Sequence, residues 1–407
     1  MPKCRSCDTP IEAFMSFGQQ PLANALLSPT NLHENQPTYE LAPAMCSACG
    51  LFQLLEQPTA TSMFTEQYPF FTSSSKFMSN HFKVLAQDLL KTHHTLNEKG
   101  FIIDIGSNDG TLLKTFAKTA VNHLGVEPSK SVAEMAKRNG INTDVSFFNS
   151  ETASLIRKKY GPADIILGTN VIAHIATIND IALGVASLLK ENGVFIIEAV
   201  YLGDVILNTA FDQLYDEHVF TFSATAVANV FRKHGLELVN VEPQTVHGGS
   251  MRYTLAPSGS REPSGAVDIL LNEEARIGLT KPGTYVLFRE RCETIRRDLP
   301  LLVREIAALG RKIVGYGATA KSVTVLNYCG LGRNDISWIQ DSTETKQGML
   351  SPKTLIPIVS PEYFREVAPN YAILFAWNHK DEIEIREQKW RKDGGKWVFY
   401  LPEVTIQ

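Results

Sequence analysis

An α/β chain with two Rossmann-like units behind a cysteine-bearing N-terminal domain is the fold class that three observations predict. Strand-like and helix-like runs alternate through the middle of the sequence, as a doubly wound, largely parallel sheet requires. Glycine turns close a strand at two separate places, "DIGSNDG" and "VGYGATAKS". Four of the six cysteines stand in two CxxC pairs near the start. The 407 residues are too many for one ordinary domain. With 44% hydrophobic and 20% charged residues, the chain is globular and can bury a full core.

The N-terminal region, residues 1–75, holds "CRSC" (Cys4, Cys7) and "CSAC" (Cys46, Cys49) among short strand-like runs. In a reducing compartment paired CxxC units favour a metal over a disulfide. Each turn aims two thiolates at one ion, so the two complete a tetrahedral Cys₄ site for structural Zn²⁺. Redox dithiols are the alternative. No open coordination position is evident, and the metal has no expected part in chemistry. Cys292 and Cys329 are expected to be packing residues.

A helix over 76–97 leads into the strand "FIIDIG". Strands "NHLGVE", "TDVSFF", "ADIILG" and "GVFIIEA" follow, separated by helical segments such as "SKSVAEMAKRNG" and "NDIALGVASLLKENG". These define a central domain over 76–260. "SGSREPSGA" (258–266) is the most linker-like stretch. A long helical segment over 267–309 comes next, and the alternation then restarts with "RKIVGYGATAKS", "DISWIQDS" and "YAILFAW" in a C-terminal domain over 261–407.

The two glycine turns differ. In the first, Asp104-x-Gly106-x-Asn108-x-Gly110 lacks the GxGxxG spacing that brings backbone against a pyrophosphate. An acid at the strand end suits a ligand with an ammonium or sulfonium. Glu127 ends the next strand, where a carboxylate accepts hydrogen bonds from two ribose hydroxyls. The set describes an S-adenosylmethionine (SAM) pocket better than a dinucleotide pocket. The second turn, with Gly315 and Gly317, lies nearer the dinucleotide pattern, with Asp341 after the next strand. A helix N-terminus there suits a diphosphate, and Lys321 or Lys346 would neutralise it. NAD, a nucleotide-linked substrate and an empty unit all fit this turn.

"FDQLYDEHVFTFS" (211–223) sets Asp212, Asp216, Glu217 and His218 among aromatic residues. A surface hairpin with a mixed face and the mouth of an active site are the two readings. Taken together and in order, the CxxC pairs, "DIGSNDG", "GTNVIAHI", "YDEHVFTFS", "HGGSMRY" and "GYGATAKS" resemble the sugar 3′-C-methyltransferases of deoxysugar biosynthesis, the tetronitrose type, over essentially the whole chain.

The resemblance implies a zinc-binding N-terminal domain, a central class I SAM-methyltransferase domain and a C-terminal Rossmann-like domain that binds a nucleotide sugar. It implies methylation of carbon 3′ beside the 4-keto group of a nucleoside-diphosphate sugar, TDP- or GDP-linked. Tyr215, Glu217 and His218 then form the catalytic set. His218 is the expected base, since a neutral imidazole has the range to take an α-proton. Tyr215 and Tyr68 are candidate donors to an enolate oxygen. If the segment is a regular strand, Glu217 and His218 point to opposite faces. Asn170 is expected to contact SAM, His174 SAM or sugar, and Arg252 an anion of the substrate.

An O-methyltransferase, a zinc-containing RNA methyltransferase and a non-catalytic SAM-fold protein are the competing classes. A net charge of −4 argues against a nucleic-acid partner. The longest apolar runs are strand-length, and the N-terminus carries no apolar leader, so no membrane association and a cytoplasmic location are expected.

Overall fold

The computed structural model describes residues 1–31, 36–63, 71–93, 96 and 100–407. Its central sheet contains β1 (Phe101–Ile105), β2 (Asn122–Val126), β3 (Thr143–Asp144), β4 (Ala163–Thr169), β5 (Leu189–Val200), β6 (Leu236–Gln244) and β7 (Ser250–Pro257). They lie in the order β3-β2-β1-β4-β5-β7-β6. β1 to β5 are parallel, and β7 runs antiparallel between β5 and β6. The mainly apolar strands β1 and β4 are buried on both faces, as helix-covered parallel strands must be. Strand order reverses between β1 and β4, which puts the ligand crevice outside their carboxyl ends.

A second open sheet follows, made of β8 (Ile313–Tyr316), β9 (Ile339–Gln340), β10 (Ile358–Val359), β11 (Tyr371–Leu374), β12 (Lys396–Phe399) and β13 (Thr405–Ile406). Its order is β10-β9-β8-β11-β12-β13, parallel except for β13. The glycine turn after β8 opens the helix Ala320–Cys329, whose first turn is capped by the Thr319 side chain. Cys292 and Cys329 are both buried, in keeping with packing roles.

The N-terminal region does not fold as a separate bead. Strands Pro43–Met45 and Phe52–Leu54 pair with each other, and Phe52–Leu54 also pairs with Phe220–Thr221. The four cysteine Sγ atoms all lie within 4.8 Å of one another, with Cys4–Cys49 at 3.6 Å and Cys7–Cys46 at 3.4 Å. A tetrahedron with Zn–S bonds of about 2.3 Å requires sulfurs about 3.8 Å apart, so the donor set fits zinc.

Three local expectations change. The segment 267–309 is two helices, Gly265–Ile277 and Pro282–Ala308, because Gly278 ends the first in a left-handed turn and Pro282 starts the second. The strand expected at "TDVSFF" shrinks to Thr143–Asp144. The helix from Lys76 ends at Thr92, and residues 94–95 and 97–99 lie outside the described residues. Among the described residues, no helix is long and apolar enough to cross a membrane.

Because the zinc region shares a sheet with Phe220–Thr221, metal loss should be felt there. Chelation or Cys46→Ser should raise amide exchange by roughly tenfold or more in both Phe52–Leu54 and Phe220–Thr221, while β1 and β4 stay protected. Exchange mass spectrometry reads this, and unchanged protection at Phe220–Thr221 would refute the coupling.

Candidate active site

The first glycine turn leaves β1 with Asp104 almost wholly buried and its Oδ1 without a hydrogen-bond partner. Burial, then the nearby Glu127, hold its carboxyl well above the ordinary range. A bound cation would supply what the buried oxygen lacks, and an ammonium or sulfonium is such a cation. Gly106 has φ 64°, and a Cβ there would lie 2.5 Å from Val171 Cγ2, so the turn packs closely on the loop after β4. Gly110 has φ 76°, and a Cβ there would lie 2.6 Å from Ile141 Cγ1. Glu127 accepts the backbone N–H of Asn108 (3.0 Å) and of Ser129 (2.8 Å), which fixes its carboxylate and leaves further lone pairs for ribose hydroxyls. Asn108 and Asn170 are both left-handed, with φ 51° and 57°. The Asn108 side chain accepts from Thr72 N, while Asn170 donates its N–H to the Glu198 carbonyl. These residues fit SAM.

The 211–223 segment is neither a surface hairpin nor a regular strand. Phe211–Gln213 is a 3₁₀ turn, 214–219 is irregular, and only Phe220–Thr221 is strand. Asp212, Asp216 and Glu217 are buried. The predicted opposition of Glu217 and His218 on a strand therefore does not apply. His218 Nδ1 lies 2.7 Å from the Gln213 carbonyl, which accepts only, so Nδ1 carries the proton. Nε2 then accepts from the Tyr215 hydroxyl at 2.8 Å. Burial pushes the His218 imidazolium down to about 4, so the ring is neutral at ordinary pH. Tyr215 is held well above its usual range by burial and by Glu217, and stays a phenol.

Neighbouring elements close around this turn. His174, on the 3₁₀ turn Ile172–His174, stacks on His218 with centroids 5.3 Å apart. Burial, then His218 and His247, lower its pKa well below the ordinary value. Gln57 donates to the carbonyls of His174 (3.1 Å) and Asp216 (3.3 Å). From the N-terminal region Ala23 N donates to Asp216, and Asn24 Nδ2 donates to Glu217 at 2.6 Å. From the C-terminal region Trp377 Nε1 and the Tyr400 hydroxyl both donate to Asp212 Oδ2 at 2.6 Å.

Lys321 is buried, donates to Asn378 Oδ1 at 2.8 Å and lies 4.6 Å over the Trp377 ring. Burial lowers it to about 8, against the pull of Asp212. Lys346 caps the second glycine turn through the Ala318 carbonyl at 2.8 Å and faces Asp341 at 3.8 Å. Gly315 and Gly317 are needed for packing. A Cβ on Gly315 would lie 2.8 Å from the Phe375 ring, and one on Gly317 2.7 Å from Ala376 Cβ. Arg252 is committed to the fully buried Glu198, which also bonds His81 at 2.7 Å. Tyr68 lies outside the described residues.

The structure thus brings Tyr215, Glu217, His218, His174 and Lys321 together, and it sets Asp104, Gly106, Asn108, Gly110 and Glu127 in the crevice beside Asn170. Sequence reasoning named Asp212 without giving it a partner or a role, and it missed Gln213, Asn24 and His247. Of these, only His247 carried a signal, the two glycines that follow it.

Comparison with known proteins fits this geometry. The family described as "C-methyltransferase C-terminal domain" matches residues 245–402, "Methyltransferase domain" 77–241 and "Putative zinc binding domain" 4–64. C-methyltransferase NovU of Streptomyces niveus is 32% identical over 407 residues, covering 99% of this chain and 96% of its own. The chain belongs to the C-methyltransferase family. It is a SAM-dependent C-methyltransferase with a class I methyltransferase fold and a zinc-binding N-terminal domain. An ubiquinone biosynthesis O-methyltransferase of Bartonella quintana is 29% identical over 100 residues, 24% of this chain and 40% of its own. Among solved structures, a SAM-dependent methyltransferase of Anabaena variabilis is 18% identical with a TM-score of 0.35, covering 42% of this chain and 83% of its own.

In this C-methyltransferase, Glu127→Ala should weaken SAM binding by roughly ten- to a hundredfold, since the hydroxyls lose a buried, fixed acceptor. Calorimetry with SAM tests it, and unchanged affinity would move the ribose away from Glu127.

Proposed function

We propose that the C-methyltransferase methylates carbon 3′ of a 4-keto deoxysugar carried on a thymidine or guanosine diphosphate, through an enolate that its own side chains generate. The observation that carries this reading is the chain Tyr215–His218–Gln213. Carbon methylation beside a ketone needs a base for a weakly acidic C–H and a partner for the enolate oxygen, whereas hydroxyl methylation needs no enolate partner. His218 is neutral, with Nδ1–H fixed on a carbonyl that would stabilise the imidazolium once formed. Its Nε2 accepts the Tyr215 hydroxyl, so the carbon-bound proton reaches it either directly, when the phenol swings to the enolate oxygen, or by relay, the phenol giving its own proton to Nε2 as its oxygen takes the one from carbon. When bound, SAM supplies the electrophilic methyl group.

In this reading residues 1–75 form the zinc domain, 76–260 hold SAM and 261–407 take the nucleotide half of the acceptor. Gly315, Gly317, Lys321 and Lys346 line the diphosphate side. Arg252, tied to Glu198, serves as a buried structural pair instead of meeting an anion. Glu217, held by Asn24, orients the turn or acts as alternate base. The enzyme works in the cytoplasm, where the four thiols stay reduced.

In D₂O with S-adenosylhomocysteine, a 4-keto nucleotide sugar should exchange hydrogen at carbon 3′. His218→Ala should abolish exchange and methylation, and Tyr215→Phe should slow both by about a hundredfold. A methyl group found on oxygen by NMR would end the reading.

The pH dependence follows from the same groups. His218 must be neutral to accept a proton, and with its pKa at about 4 it is neutral throughout the range above that. Lys321 must be charged to meet the diphosphate, and with its pKa at about 8 it loses that charge above it. The profile of kcat/KM should therefore fall below about 4 and above about 8. An acid limb at the usual histidine value would show that burial does not depress His218 in the working enzyme.

A further inference from the structure

His247 has no part in the roles above. It lies on the short turn Val246–Gly248 between β6 and β7, with φ 56° and ψ 16°, a region that residues with a side chain avoid. The turn is pinned from two directions. A Cβ on Gly248 (φ 84°) would come within 2.3 Å of the Trp377 ring, and one on Gly249 (φ 124°) within 2.3 Å of Asp204 Oδ2. Its carbonyl accepts Gln213 Nε2 at 2.6 Å, and the Gln213 carbonyl in turn accepts His218 Nδ1 at 2.7 Å. The strained residue is therefore two hydrogen bonds from the proposed base.

The His247 imidazole Nε2 is buried and has no hydrogen-bond partner. Lys321, His218 and His379 face the ring and oppose its protonation, while Glu198 favours it. Burial outweighs them all and brings the imidazolium down to about 3, so the ring is neutral and offers one N–H and one lone pair. A glycine would occupy this backbone at no steric cost and would serve the carbonyl contact to Gln213 equally well. Strain kept at a position where only the side chain is special points to a use for that side chain. The unpartnered nitrogen belongs to a residue tied through Gln213 to His218, and that indicates where the use lies.

We infer that His247 is a further catalytic residue, whose Nε2 hydrogen-bonds an oxygen of the acceptor beside the carbon that receives the methyl group. The inference rests on the proposed acceptor only for which oxygen this is. The contact orients the acceptor against His218 and removes an unpaired polar atom from the interior once the acceptor is seated.

His247→Gly separates side chain from backbone, because it relaxes the turn and keeps the carbonyl. Methyl transfer to TDP- and GDP-linked 4-keto deoxysugars should fall by roughly ten- to a hundredfold in kcat/KM, the loss of one hydrogen bond to substrate. SAM affinity should not change, thermal stability should not fall, and added imidazole should restore part of the rate. A glycine variant with wild-type kinetics overturns the inference, as does a slow variant that imidazole does not relieve, which would leave His247 with a turn-forming role alone. The acceptor reading fails separately, if wild-type enzyme ignores every keto sugar and methylates a sugar hydroxyl instead. The glycine and imidazole comparison is then made with that hydroxyl acceptor and is read in the same way.

Discussion

The burial of polar residues at 212–218 is the constraint on which the rest of this enzyme depends. Asp212, Asp216 and Glu217 sit in the interior among Phe211, Phe220 and Phe222. A buried carboxyl without partners costs several kcal/mol or changes its protonation state. Burial, then Glu217, do raise Asp216 to about 7. The turn is nevertheless held, because distant parts of the chain reach it. Ala23 and Asn24 are each 193 residues from their acceptors, Trp377 is 165 from Asp212, and Tyr400 is 188. Thr324 adds a bond to the Leu214 carbonyl across 110 residues. The N-terminal, central and C-terminal regions thus converge on one segment, and none of them alone satisfies it. Losing Asn24, Trp377 or Tyr400 removes a donor from a buried acid, so the turn is a place where the three regions are made to agree.

The cofactor crevice and this turn are joined through the end of β4. Gly106 lets the first glycine turn approach Val171 more closely than any side chain would allow. Asn170, one residue earlier, is bonded to the carbonyl of Glu198 on β5, and His174 three residues later stacks on His218. A shift of the crevice is therefore transmitted by packed atoms to the ring that stacks on His218. Methyl transfer needs donor and acceptor atoms about 3–3.5 Å apart and in line, a tolerance that packing of this closeness can hold and loose loops cannot.

How much of this was legible in the sequence depended on the range of the signal. The parallel sheet was, because strand-length, mainly apolar runs such as Phe101–Ile105 and Ala163–Thr169 alternate with helical patterns, a local property. So were the four cysteines and the pair Asp104 and Glu127, since each closes a recognisable turn or strand. The split of the long helical segment at Gly278 was legible in principle, as a glycine followed by Pro282 marks a stop and a restart. The 212–218 turn was legible in its residues but not in its shape. Its acids take their hydrogen-bond donors from 165 to 193 residues away, and no local pattern reports such partners. Arg252 was legible as a charge but not as half of an ion pair, since Glu198 lies on a neighbouring strand. Gln213 was silent, since its contribution to His218 is a backbone carbonyl that any residue would supply.

The zinc site then has a physical purpose without any chemistry of its own. The N-terminal region has strands of only three residues each and too little apolar surface to hold a fixed shape by packing alone. Four thiolates on one ion supply the missing constraint, because metal binding and folding are the same free-energy change in such a region. The fixed region carries Phe52–Leu54 against Phe220–Thr221, and it presents Ala23, Asn24 and Gln57 to the two acids and to the carbonyl of His174. A metal thereby decides how firmly the turn that carries His218 is held. A flexible, metal-free N-terminus would withdraw three donors from a buried turn at once, and the His218–Tyr215 pair would lose its support even with every residue of the central domain intact.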